Sequence, residues 1–266
     1  MRDVIARRLL SFKTQEEKYA HVREYLQELI LALIEKQGAM PMLAFVGGTA
    51  LRIIYDLPRF SEDLDFSQVS SDFDFLNLLH FIKKELTLYG FSVNLTRKEV
   101  GAVKNGFIKF SNLLHPLGLS PHSSQLLSIK LEMDTNPPAG YALQRTVINK
   151  TRLMYIQHFD LPSLFAGKCH AILCRPYAKG RDFFDLLWFI GKKIKPNYLL
   201  LTNAYHQTQH KDILFDPSIL RKMLIEKIET VTFKDIIADV EPFLPPAESM
   251  RYFTQNTFIS AVKSGL

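Results

Sequence analysis

The amino-acid sequence predicts an α+β protein on three observations. A long amphipathic helical pattern opens the chain, strand-like runs that are mostly consecutive follow before residue 160, and every apolar pattern from Leu161 onward is helical. The 266 residues therefore divide into an expected first domain, 1–160, and an expected helical second domain, 161–266.

The elements follow in order. Thr14 with Glu17 forms a capping box, and Val22, Leu26, Leu29, Ile30 and Leu33 recur at helical spacing until Gly38, which predicts a helix over 14–37. Met42 to Val46 is a short apolar run that stops at Gly47-Gly48, and Thr49 to Tyr55 is helix-compatible: a strand, a tight glycine turn and a helix. After Pro58, the alternation over Ser61 to Phe66 puts Asp63 and Asp65 on one strand face and Leu64 and Phe66 on the other. A helix is expected over 72–89, closed by Gly90, then strands at 91–97, 106–111 and 126–134. In the last of these Ile129, Leu131 and Met133 share one face and Lys130, Glu132 and Asp134 the other, before Pro137-Pro138 ends it. One further extended run, 144–158, reaches Phe159-Asp160.

Composition narrows the class. With 47% hydrophobic and 23% charged residues, the chain reads as globular and too apolar for disorder. No apolar run approaches the roughly 18 residues a membrane helix needs. The first ten residues interleave charges with apolar side chains, unlike a secretory signal, so the expected location is the cytoplasm. Two cysteines, Cys169 and Cys174, fall five apart in a helical pattern and read as reduced packed thiols. The net charge of +6 is unevenly spread: Arg145 to Lys195 holds ten basic residues against three acidic ones, a surplus of seven, which suits a polyanionic partner. The eight histidines are scattered, and only His206 and His210 have a spacing that could face one metal. The aromatics Phe183, Phe184, Trp188 and Phe189 read as core.

Two constellations carry chemistry. Asp63 and Asp65, with the acidic face of Glu132 and Asp134, would repel one another unless a dense positive charge joined them, and Mg²⁺ held by one or two carboxylates plus substrate phosphates meets that need. Read alone, such a pair is more often a solvated strand edge. Upstream, Gly47-Gly48-Thr49 sits at a helix start, where backbone N–H groups and the helix dipole favour phosphate. In the second domain Lys168 interrupts a largely apolar run, as a cation that either snorkels past the core or reaches a phosphate. Asp182 and Asp185, three apart on one helical face, could fix a helix corner through Arg175 or Arg181, or could serve the site.

These residues carry a family resemblance. Phe45–Arg52 (FVGGTALR) and Arg59–Phe66 (RFSEDLDF) resemble the core of the AbiEii-type nucleotidyltransferases, the toxins of bacterial abortive-infection toxin–antitoxin systems in the DNA polymerase beta-like superfamily. Ser128–Asp134 resembles their third-carboxylate strand, Leu161–Ala171 the helix of their active-site lysine, and Lys179–Leu186 (KGRDFFDL) their Arg-Asp-x-x-Asp motif. The resemblance spans 45–186, and beyond it the chain matches only as a helical bundle. It implies a nucleotidyltransferase lobe with a mixed β-sheet flanked by helices, a C-terminal helical-bundle lobe, and an active site in the cleft between the two.

By position it implies that Asp63, Asp65, Lys168, Asp182 and Asp185 are catalytic. Gly47, Gly48, Thr49, Arg52, Arg59, Ser61 and Lys168 would bind the nucleotide, and Asp63 and Asp65 would hold Mg²⁺ with either Asp134 or Glu132. Asp134 is narrowly favoured as the shorter side chain at the strand's end. The implied activity is Mg²⁺-dependent transfer of a nucleoside monophosphate from an NTP to an acceptor hydroxyl. The basic segment and the toxin resemblance together suggest an RNA acceptor, the 3′ end of tRNA, with an antitoxin as a protein partner. Nucleotidylation of a protein and a non-catalytic nucleotide- or RNA-binding module are the alternatives. The module is disfavoured because Gly47, Gly48, Asp63 and Asp65 are all present.

Overall fold

Thr14 caps the first long helix through the expected box: its side chain accepts the Glu17 N–H, and Glu17 reaches back to the Thr14 N–H. In the computed structural model, which describes residues 2–71, 73–245 and 250–266, this helix is α2 (Gln15–Lys36), preceded by α1 (Arg2–Leu9). Residues 1, 72 and 246–249 lie outside the described residues; residue 72 is the expected start of the helix over 72–89, and the others fall in the two expected domains. The chain separates into two compact units, one of 1–56, 60–136 and 144–158, the other of 57–59, 137–143 and 159–266.

The first unit is built on a seven-stranded mixed sheet. Its strands are β1 (Leu43–Val46), β2 (Leu64–Gln68), β3 (Ser92–Val100), β4 (Val103–Ser111), β5 (Leu127–Asp134), β6 (Leu143–Asn149) and β7 (Leu153–Phe159), in the order β3-β4-β5-β2-β1-β7-β6. Pairing is antiparallel for β1/β2, β3/β4 and β4/β5 and parallel for β2/β5 and β1/β7. α3 (Gly47–Tyr55) follows β1 directly, and α4 (Phe75–Leu88) starts from Asp74, whose side chain accepts the Asn77 N–H. Leu26, Leu29, Leu33, Leu78, Ile82, Phe66, Ile108, Leu131 and Met133, all at most 1% exposed, belong to one core shared by α2, α4 and one sheet face.

Three elements differ from the sequence pattern, each for a local reason. β2 begins at Leu64 rather than near 61, because β1 ends opposite Asp65 and the chain turns there into α3, so strand pairing with β1 stops. The run 144–158 is two strands, β6 and β7, broken at Lys150-Thr151-Arg152, where the Thr151 N–H and hydroxyl both bind Glu28 of α2. β3 and β4 extend to a two-residue hairpin, with Gly101 at φ 58° supplying the left-handed position such a turn needs.

The second unit is helical: α5 (Leu161–Cys174), α6 (Gly180–Gly191), α7 (Tyr198–Gln209), α8 (Pro217–Thr230), α9 (Phe233–Val240) and α10 (Gln255–Gly265). Segment 137–143 joins it by hydrogen bonds: Asn197 Nδ2 donates to the Gly140 carbonyl, Asn203 Nδ2 to that of Ala139, and the Ala142 N–H to Ser163 Oγ. Gly180 lets α6 approach α9, since a Cβ there would collide with the Ile236 carbonyl. Phe165 stacks on Phe189 at 4.4 Å and Phe183 packs edge-on to Phe258, so the aromatic cluster is core. Among the described residues no helix is long and apolar enough to cross a membrane.

Candidate active site

In the first unit the glycine turn is the helix itself: β1 runs straight into α3, whose first residue, Gly47, has φ +78°. No other residue fits there. A Cβ on Gly47 would fall on the Asp65 carboxylate, and the backbone conformation is one that L side chains rarely adopt. The first-turn N–H groups of Gly47, Gly48 and Thr49 lack intrahelical acceptors by construction, so an anion-accepting helix start lies in packing contact with Asp65. The Thr49 hydroxyl, fully buried, donates to the Asp63 carbonyl and ties the segment before β2 to the same helix. Gly47→Ala is therefore expected to displace Asp65 and reduce turnover at least tenfold, with a lowered melting temperature; a steady-state assay with a thermal melt checks both.

Sheet register places the carboxylates. Asp65 stands opposite Val46 on β1 and Glu132 on β5, while Asp134 stands opposite Ser67, one row away. Leu64 and Phe66, at most 1% exposed, take the core side, so Asp65 points to the other face. Glu132 is ion-paired with Lys130. Burial alone would lower the Lys130 pKa, but Glu132, Asp63 and Asp65 outweigh it and hold the ammonium above its ordinary value. Lys130 thus feels all three carboxylates. Asp134 differs: burial, reinforced by Glu132, raises its pKa although the Asn136 N–H donates to it.

The metal question turns on donor chemistry. Among the described residues no three His, Cys, Asp or Glu side chains form a ready metal cage. Carboxylates beside a phosphate-accepting helix start nevertheless fit Mg²⁺, which takes one or two protein carboxylates and completes its shell from water and substrate phosphates. His206 pairs with Asp212 at 3.2 Å, and His210 is the left-handed residue that closes α7.

In the second unit five charged side chains form a chain of ion pairs. Arg59 is bidentate on Asp185, with Nε and a terminal nitrogen at 2.7 and 2.6 Å. Lys168 Nζ lies 2.8 Å from Asp185 and 2.9 Å from Asp182, and Arg175 reaches Asp182 at 2.5 Å. Both aspartates are buried. Burial alone would raise the Asp182 pKa, but the charges of Lys168 and Arg175 outweigh it and hold the carboxyl below its usual range. Burial likewise opposes the charge on Lys168, and Asp182 and Asp185 overcome it and raise its pKa. Three cations thus meet two buried carboxylates, with 14% of the Lys168 side chain and 39% of the Arg175 side chain exposed.

The family assignment follows from the whole chain. A family model described as "Nucleotidyl transferase AbiEii toxin, Type IV TA system" matches residues 29–256. The chain belongs to the AbiEii family of nucleotidyltransferase toxins. It shares its fold with two crystal structures from Helicobacter pylori, JHP933 and a candidate nucleotidyltransferase. Each is 18% identical, with TM-scores of 0.55 and 0.56, over 92% of this chain and 90% and 93% of theirs. Among curated proteins none is significantly similar in sequence.

The remaining expected residues of this AbiEii enzyme are placed as follows. Arg52 pairs with Glu24 at 2.6 Å and lies over the Phe60 ring, and the Ser61 carbonyl accepts from Gln27 Nε2. Burial opposes ionisation of Glu24, but His21 and Arg52 outweigh it and hold its pKa down to about 2. The basic stretch 145–195 is divided between the units, with Arg145, Lys150 and Arg152 in the first and the rest in the second. Lys195 donates to the Gly265 and Leu266 carbonyls and so closes α10. Sequence reasoning missed Lys130, although its place two residues before Glu132 on the same strand face was the signal. It also missed the pairing of Arg59 with Asp185, for which a separation of 126 positions left none.

Proposed function

We propose that this nucleotidyltransferase takes an NTP with Mg²⁺ and transfers the nucleoside monophosphate to a hydroxyl of RNA, the 3′ end of tRNA, releasing pyrophosphate. The observation that carries the reading is the packing of Asp65 against Gly47, which sets a carboxylate beside a helix start suited to phosphate. Asp63 and Asp65 would hold the metal, with Glu132 as the third carboxylate rather than Asp134, because Glu132 is the lateral neighbour of Asp65. Bound there, Mg²⁺ supplies Lewis-acid polarisation of the phosphates and makes the attacking hydroxyl more acidic.

The chain's own groups do the rest. The N–H groups of Gly47, Gly48 and Thr49 orient the triphosphate, and Thr49 holds Asp63 in place. Lys130 balances the carboxylate charge until the substrate's counter-ions arrive. Lys168 stabilises charge on departing phosphate, and Asp182 and Asp185 position its ammonium. Arg59 positions Asp185 in turn. Arg52, paired with Glu24, braces α3 against α2. The enzyme would act in the cytoplasm with an antitoxin as its counterpart, as the type IV system of its family suggests.

RNA is favoured over protein as acceptor by the basic surplus of 145–195 and by the lysines Lys98, Lys109 and Lys130 on the sheet face that carries Asp65. Incubation with each α-labelled NTP, Mg²⁺ and total RNA is expected to label an RNase-sensitive band of tRNA size. RNA binding should weaken with salt by a log–log slope of about −0.7 per single-strand phosphate neutralised. Label on a polypeptide would replace RNA with a protein acceptor.

A further inference from the structure

The face of β4 turned away from the core holds a polar side chain that the reaction as described does not use. Asn105 is 8% exposed, and its Oδ1 is buried with no hydrogen-bond partner among the described residues. A buried acceptor left unmatched costs about 1–3 kcal/mol, so such a group is retained where something else satisfies it. Its position is set by register: Asp65, Glu132 and Asn105 are successive neighbours across β2, β5 and β4. At about 4.8 Å per strand, Asn105 lies roughly 5 Å from Glu132 and roughly 10 Å from Asp65.

Phe107 is the next residue along on the same face, roughly 7 Å away. The intervening Gly106 faces α4, where a Cβ would strike Leu79, so Asn105 and Phe107 point to the side opposite that core. Phe107 is half-buried, and among the described residues no aromatic ring packs on it. Lys98, Lys130 and Lys109 surround the pair: Lys98 is opposite Asn105, Lys130 is opposite Phe107, and Lys109 is two residues further along β4. Lys98 and Lys109 have no carboxylate partner among the described residues. A ring flanked by cations is the arrangement by which proteins hold single-stranded nucleic acid.

We propose that this face is the subsite for the acceptor's terminal nucleotide, with Phe107 stacking its base and Asn105 Oδ1 accepting a hydrogen bond from its ribose 2′-hydroxyl. The inference rests on the RNA reading above and adds to it the residues that choose ribose over deoxyribose. The order along the sheet is that of a nucleotide: the reacting hydroxyl near Asp65 and Glu132, the sugar at Asn105, the base at Phe107. The 2′-hydroxyl is both the donor that Asn105 lacks and the group that separates RNA from DNA.

The test uses short single-stranded oligonucleotides with 2-aminopurine at the 3′ end, the terminal sugar being ribose or 2′-deoxyribose. With wild-type protein, binding is expected to quench the fluorescence, and the ribose end should bind about five- to tenfold tighter, the value of one net hydrogen bond. Asn105→Leu, which keeps volume, should erase that preference; Asn105→Ser, whose shorter side chain withdraws the oxygen from the sugar, should erase it too and serves if the leucine variant does not fold. Phe107→Leu should weaken both oligonucleotides roughly five- to hundredfold and abolish the quench, while Phe107→Tyr retains it. NTP affinity, measured in parallel, confirms an intact fold in each variant.

Equal wild-type affinity for the two sugars, or a preference that survives Asn105→Leu or Asn105→Ser with the quench unchanged in Phe107→Leu, overturns the subsite. If wild-type protein labels RNA while these variants behave as wild type, the subsite alone falls. If wild-type protein transfers label only to a polypeptide, the RNA reading falls and takes the subsite with it.

Discussion

Asp65→Asn is expected to lower nucleotidyl transfer about a thousandfold or more, while the protein melts at or above the wild-type temperature. The activity loss follows from the metal's share of transition-state stabilisation, several kcal/mol, at tenfold in rate for each 1.36 kcal/mol. A neutral carboxamide cannot replace the carboxylate as a Mg²⁺ ligand. The stability follows from charge. Asp63, Asp65 and Glu132 all act on Lys130, so they lie close enough to act on one another, and removing one negative charge from such a carboxylate group relieves mutual repulsion. Asparagine also keeps the volume packed against Gly47. Asp63→Asn should lose transfer alike, and it keeps the backbone carbonyl that Thr49 binds. As the chain belongs to a toxin family, growth arrest on expression should vanish in both variants. Wild-type transfer by either one, or unfolding of both, would make the aspartates structural and remove the metal site from Asp63 and Asp65.

Much of the first unit was legible because its signals are local. The capping box at Thr14, the alternation of Leu64 and Phe66 with Asp65, and the glycine pair after an apolar run each depend on residues a few positions apart, where helix and strand periods operate. The choice between Glu132 and Asp134 was not legible. Both obey the same period of two, and only the parallel register of β2 on β5 shows that Glu132 is the neighbour of Asp65. That register is settled by burying Leu131 and Met133 beside Leu64 and Phe66, a choice made in three dimensions.

Arg59 shows the same limit from the other side. Read within its motif it is a nucleotide contact, yet its guanidinium is 126 positions from its partner, and no pattern within a window of sequence links the two. Asn105 carries no motif. Its interest arises from an unmatched buried oxygen, a property of packing alone.

Lys168→Met is expected to abolish measurable NTP binding and to lower transfer roughly a hundredfold or more, and also to lower stability by a few kcal/mol. The sequence alone left a cation that either snorkels past the core or reaches a phosphate, and the structure seats it between two buried carboxylates. Removing one partner of a buried pair costs about 3–5 kcal/mol when the other charge is stranded, and the cost here is smaller, because Arg175 remains on Asp182 and Arg59 on Asp185. Stability loss by itself would not separate a phosphate-facing lysine from a structural one. Asp182→Asn makes that separation: it breaks the same 2.9 Å pair and should destabilise comparably, yet it leaves the ammonium in place, with Asp185 still 2.8 Å away. Measured well below either melting temperature, NTP affinity should therefore survive in Asp182→Asn within a few-fold and be lost in Lys168→Met. Equal loss in the two variants would mean that the ion chain merely holds α5 to α6. The phosphate role would then have to pass to the cation at position 130.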